Sequence, residues 1–488
     1  MHLKDMNQRN ILLGNLNLTW GVILFLQVLF GLAVSVFPPL LSLIIIFCVA
    51  FVAVIYHSPT IMAVFLLLLV LPYPFSFFQI GQADIGLLEV GVFLAFISWA
   101  ARGMIRDKSL FVDIKELEIP ILILLGWAAF SVLWTPYVAR GLHGVLKIAS
   151  SFSIYFLTVN LIKDRPALER LFVGWLLISV LFSILGMYQM FSLGIEKSMD
   201  VAAVSEGQLA DLGKTVRVTT ILRTPNDLGF FLMLPITLLL VKIFQPSDTE
   251  GPGKNSGFMR FILACLLIAE IMIIAVTFSR KSWLSLGLII ALIGLMYKRI
   301  LVFSALSAVF ATMVLFIMDF GAFGELLKSR AMSFLFPIEA AIPERAVAWE
   351  IGKELFYRSP IIGNGLGSFF VLSSQFNSPL NLPHNFYIFL LTELGLVGLS
   401  LFLIVAIVFS KNLLEIKHGE YARLMATGLF ACFCAILFQA FFRTIALTDP
   451  VFWAFMGLLS VFIRQYNPYY RKDDKPATKD KSLTPNQR

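Results

Sequence analysis

Four stretches of this chain hold the residue types that could do chemistry. TFSRKSWLSLG carries Arg280 and Lys281 side by side between two apolar runs. RTPNDLGFFLMLP puts Arg223 ahead of Pro225 and Asn226 at the start of another apolar run. ERAVAWEIGKEL spaces Arg345 and Trp349 four apart, so a helix places both on one face and Lys353 continues it. LPHNFYIFLLTELGLVGL sets His384 and Asn385 just before a run that carries Glu393 two turns further in. Each has an ordinary explanation. Arg280 and Lys281 suit a snorkelling pair at a helix end, Pro225 suits a first helical turn, and a lone interfacial histidine is often an anchor. Taken together they suit an oxyanion. A guanidinium offers a planar fork of donors and stays charged, which matches phosphate or diphosphate.

The elements that would position these residues are transmembrane helices. The 488 residues are 59% hydrophobic and 14% charged, with mean hydropathy +0.86. Soluble proteins carry about 25% charged residues to cover their surface. Runs long enough to span, roughly 17–25 residues, lie near 15–37, 39–56, 60–78, 86–101, 119–135, 146–162, 170–192, 221–243, 259–278, 282–297, 299–318, 386–410, 421–442 and 447–464. The expectation is an all-α polytopic membrane protein with about 12–14 transmembrane helices and one large extracytoplasmic loop. Residues 1–318 would form an N-terminal bundle and 319–385 the loop with a short amphipathic helix. Residues 386–464 would form C-terminal helices and 465–488 a basic cytoplasmic tail.

Sidedness follows from Lys and Arg. Arg102, Arg106, Lys108 and Lys115, then Lys163, Arg165 and Arg170, then Lys298 and Arg299, then Lys411, Lys417 and Arg423 fall in alternate connections. That puts both termini in the cytoplasm of a plasma-membrane protein and the four chemical stretches outside. The net charge of +8 therefore marks topology and not a nucleic-acid partner. Cys48, Cys265, Cys432 and Cys434 all fall inside spans, which removes a disulfide framework or a zinc site from consideration. The glycine-rich SPIIGNGLGSFF opens no helix after a strand, so it reads as a tight loop or a close approach to a ligand, not a dinucleotide fingerprint. Mid-span ionisable groups are few: Glu89, Lys147, Glu270 and Glu393.

The ordered set SRxSW, RxxxW, PxxGxGxGxF and HNxxxxxxxELGxxGL, over roughly residues 215–410, resembles the C-terminal signature of bacterial O-antigen ligases and polymerases. That superfamily includes capsular and teichuronic-type polymerases. The resemblance implies a transferase acting outside the membrane on undecaprenyl-diphosphate-linked glycan, with no metal and no cofactor. It carries the family's two outer arginines onto Arg280 and Arg345 and its loop histidine onto His384, as the catalytic set. Arg223, Lys281, Trp349 and Asn385 stand beside them as substrate-binding candidates. A flippase or a chain-length regulator is a further contact to expect, and an anionic cell-wall or capsular polymer is the favoured product. A transporter or flippase for the same lipid is the competing function; it should line several spans with mid-membrane charge. A scaffold would leave the outer Arg and His residues without a role.

Overall fold

The computed structural model describes residues 76–80, 83–105, 108, 114–192, 224–245, 257–277, 279–297, 343–376, 382–443 and 447–471. The candidate spans near 15–37, 39–56 and 299–318, most of 60–78, the loop 193–220, Arg223 and the tail beyond Arg471 lie outside these residues.

The described chain is helical except for one antiparallel hairpin, β1 (Ser76–Ile80) with β2 (Ala83–Gly86). Its first strand takes the end of the candidate span 60–78. Pro72 and Pro74 disfavour continuing a helix there, and Phe77 and Phe78 favour a strand. The helices are α1 (Leu87–Ile105), α2 (Ile119–Phe130, extended by a 3₁₀ turn Ser131–Leu133), α3 (Val138–Leu161), α4 (Arg165–Ser192), α5 (Pro225–Phe244), α6 (Gly257–Val276) and α7 (Arg280–Met296). Then follow α8 (Pro343–Arg358), α9 (Ser368–Ser374), α10 (Phe386–Leu414), α11 (Glu420–Gln439), α12 (Pro450–Tyr466) and the single turn α13 (Pro468–Arg471). Among the described residues six helices are long and apolar enough to cross a membrane: α3, α4, α5, α6, α10 and α11. The chain is an all-α polytopic membrane protein.

The bundle packs α3 on α12, α7 on α11, α5 between α6 and α11, and α10 against α2 and α11. Small residues allow the close crossings. A Cβ on Gly229 of α5 would stand 2.2 Å from the Ser282 hydroxyl of α7, and one on Gly428 of α11 would stand 2.6 Å from Val241. The mid-span ions are all engaged. Lys147 of α3 meets Glu89 of α1 at 2.7 Å. Glu270 of α6 accepts from the Ser179 hydroxyl of α4. Glu393 accepts backbone N–H groups, described below. Isolated charges inside a bilayer are costly; Lys147 and Glu89 offset theirs as a pair, whereas Glu270 keeps its Oε2 buried without a hydrogen bond.

Candidate functional site

Four helices begin at the same end of the bundle, and cross-links tie their first turns together. α5 opens on Thr224, whose side chain accepts from Asp227 N, with Pro225 in the first turn. α7 follows Ser279, whose hydroxyl donates to Asn226 Oδ1 at 2.8 Å and accepts from the Ser282 hydroxyl at 2.9 Å. Asn385 caps α10 by accepting from the N–H groups of Tyr387 and Ile388. Asp449 caps α12 through Val451 N and Phe452 N. Arg443 bridges two of these starts, reaching Asp227 at 2.7 Å and Asp449 at 2.6 Å, with its guanidinium over the Phe230 ring. The Tyr387 ring lies 4.3 Å from that of Phe441 and its hydroxyl donates to Leu437 O, which fixes α10 to the end of α11. Helix N-termini present positive dipole ends, and the four that converge here are joined by Arg280, Lys281 and Arg443 and by the carboxylates Asp227 and Asp449.

His384 stands at this mouth. Its φ of 48° lies in the left-handed region, which is uncommon for a residue with a side chain. Such strain persists where surrounding contacts over-determine it. One contact is visible next door: Trp349 Nε1 donates to Pro383 O at 2.8 Å. This bond docks α8 onto the residue before His384 and orients the face that carries Arg345. Burial first, then the positive charges of Arg345 and Lys281, push the His384 imidazole down to about 4. The RxxxW and HN stretches therefore meet in space, and the SRK turn reaches them through Lys281. Arg280, one residue earlier, opens α7 and is half-buried. Lys353 is exposed and paired with Glu350 at 3.3 Å.

The glycine-rich loop does not approach the histidine. It plugs a break in α10. Gly395, at φ 68° and ψ −167°, interrupts that helix, in a region essentially restricted to glycine. Asn364 N and Gly365 N donate to Thr392 O and Glu393 O, each at 2.9 Å. Leu396 N and Val397 N donate in return to Pro360 O and Ile361 O. The buried Glu393 carboxylate caps α9, accepting from Gly367 N at 2.7 Å and Phe369 N at 3.1 Å. A Cβ on Gly363 (φ 75°) would lie 2.4 Å from the Glu393 backbone, and one on Gly395 would lie 2.2 Å from Ile361 O. Of the two sequence readings, the tight loop is the one realised. α8 packs Ala348, Ile351 and Leu355 inward; Gly352 sits against Ile388 and Thr392. It caps the upper part of α10.

Sequence reasoning overlooked Arg443, Asp227 and Asp449. A signal existed: Asp449 before Pro450 is a helix-start pattern, and Arg443 follows an apolar run on the same side as Arg280. Nothing local in the sequence announces that these three residues meet.

Fold and mouth define a polytopic membrane protein with a cationic, histidine-bearing site assembled from helix starts. Residues 263–403 match the O-antigen ligase family. This segment holds the SRK turn, α8, the glycine loop and the HN motif, and its match supports a likeness to the O-antigen ligases and polymerases. No curated protein matches the chain.

Proposed function

We propose that this protein is a glycan polymerase or ligase that works on the extracytoplasmic face. It would transfer polyprenyl-diphosphate-linked sugars to an acceptor hydroxyl in the synthesis of a cell-surface polysaccharide. The observation that carries the reading is the meeting of His384 with the charges of Arg345 and Lys281. In this reading both termini are cytoplasmic and the reaction needs no metal.

Arg345, Lys281 and Arg280 hold the diphosphate. The acceptor oxygen attacks the anomeric carbon as the bond from that carbon to the diphosphate oxygen breaks. Polyprenyl diphosphate leaves with the electron pair. The cations stabilise the negative charge that grows on it, a contribution largest where it is preorganised and shielded from water. His384 takes the proton of the acceptor hydroxyl. Its environment suits that role in two stages. In the free protein the imidazole is neutral across the physiological range, because burial and two cations oppose its protonation. A bound diphosphate offsets those cations, so the imidazole becomes a stronger base when the donor is present. Trp349 and Asn385 set the backbone that holds it. An anionic wall or capsular polymer is the favoured product. The flippase alternative gains nothing here, since the mid-span ions are engaged with one another, with a serine or with backbone.

The test uses protein in nanodiscs with a polyprenyl-diphosphate oligosaccharide, following release of polyprenyl diphosphate and growth of the glycan. His384→Ala is expected to bind donor normally and to lose a factor of about 10²–10⁴ in turnover. Lost donor binding with undiminished turnover of what binds would remove the base assignment.

A further inference from the structure

The loop that plugs α10 sits, by sequence, in the middle of the large outer loop. It has the chemistry of a segment that meets lipid. No Asp, Glu, Lys or Arg occurs from Ser359 to Pro383. The backbone groups freed by the break at Gly395 are satisfied within the protein. Thr392 O and Glu393 O take the loop amides, and Leu394 O takes Trp127 Nε1 at 3.0 Å. Leu396 N and Val397 N find loop carbonyls. On the loop side, Gly363 O accepts from Trp134 Nε1 at 3.1 Å and from the Ser359 hydroxyl, and Leu366 N donates to the Ser131 hydroxyl. Asn364 spends both amide donors on Leu355 O and Thr392 O. A loop in water has no need of this saturation, because solvent would satisfy the same groups. Non-helical backbone at membrane depth requires it.

Depth agrees. Below the break, 396–414 of α10 spans roughly 28 Å at about 1.5 Å per residue. The neighbouring apolar stretch Ile119–Leu133 spans roughly 22 Å. In α3, Gly141 touches the loop at Leu366, and 141–161 spans roughly 31 Å. These lengths compare with a hydrocarbon core of about 30 Å, so the loop falls at its boundary. Exposure agrees as well. Ile361 is 64% exposed and Ile362 42%, and Leu396, Leu133 and Phe130 are exposed too. Leu122 and Ile123 of α2 and Leu403 and Ile407 of α10 are exposed apolar residues as well.

We propose that the segment 359–367 is re-entrant, with Ile361 and Ile362 seated among the acyl chains of the leaflet on the His384 side. The upper part of α10, from Phe386 to Glu393, then stands above the loop, with His384 just ahead of its first turn. The inference rests on membrane insertion and backbone chemistry, and stands whether or not the transferase reading does.

Spin labels test it in nanodiscs. Ile361→Cys is compared with Ile407→Cys on the lipid-facing side of α10 and Glu350→Cys on the exposed face of α8, all with Cys48, Cys265, Cys432 and Cys434 replaced by Ala. The label at 361 is expected to relax strongly with oxygen and weakly with a water-soluble nickel chelate, as at 407. Nickel access equal to that at 350 would make the loop aqueous and overturn the proposal. Exclusion of both reagents would also overturn it, by showing that the chain itself or a second copy covers the loop. A benzophenone amino acid at 361 in the otherwise native protein gives an independent readout. A mass increase matching one phospholipid supports the proposal, and crosslinks only to protein reject it.

Discussion

Removing Lys281 or Arg345 should move the acid limb of the reaction upward, and by unequal amounts. Burial, Arg345 and Lys281, in that order, lower the His384 imidazole from 6.5 to about 4. That displacement is worth roughly 3 kcal/mol of preference for the neutral ring, at about 1.36 kcal/mol per pH unit. The sign follows directly: a base active when neutral loses activity as pH falls through its pKa. In the free enzyme, read from kcat/KM, the limb should fall near pH 4 and not near 6.5. Arg345→Met should raise it, Lys281→Met should raise it less, and neither should return it to 6.5, since burial persists in both. Read from kcat, with the anionic donor bound, the wild-type limb should lie above that from kcat/KM. The assay is initial-rate release of polyprenyl diphosphate from pH 3.5 to 8 in nanodiscs, with His384→Gln as the control lacking the limb. A wild-type kcat/KM limb at or above 6.5, or one unmoved by Arg345→Met, would refute the claim that these cations act on this histidine.

Four further outcomes can be checked. Arg345→Ala or Arg280→Ala should abolish polymer formation at normal protein abundance, and Lys at either position should rescue only in part, because a point charge lacks the bidentate fork; full activity in both alanine variants would leave them as interfacial anchors. Gly395→Ala should cost about 3 kcal/mol or more, combining a backbone conformation restricted to glycine with a contact against Ile361 O, and thermal unfolding in detergent would register it as a large drop in Tm. Arg443→Ala strands Asp227 and Asp449, both largely buried, and should destabilise by about 2–4 kcal/mol, whereas an unchanged Tm would mark the bridge as ornamental. Reporter fusions after Lys353 should read extracytoplasmic and those after Lys417 cytoplasmic, as the Lys and Arg distribution requires; a cytoplasmic reading at Lys353 would invert the topology.

Much of this protein was legible without coordinates, for a definite reason. A bilayer imposes length and apolarity on every span, so a helix such as α5 or α11 is written almost residue for residue in the hydropathy. The cap at Asn385 and the Pro225 start were equally local, since one residue type satisfies backbone groups within its own turn. Residue chemistry and order also singled out His384, Arg345 and Lys281. Only the tertiary structure decided which of these meet. Arg345 bears on His384 because Trp349 bonds Pro383 O, a contact between elements 34 residues apart. Glu270 required a partner that hydropathy could not name, and Ser179 lies 91 residues away. The glycine loop carried its sharp turns in sequence, but its mate, the broken turn at Gly395, reads locally as uninterrupted helix. A helix can give up its hydrogen bonds there only because the loop and Trp127 arrive from elsewhere to replace them, while Trp134 holds the loop at Gly363 O. Local sequence determines where backbone groups can satisfy themselves; where they cannot, the partner is chosen by the packing of the whole bundle.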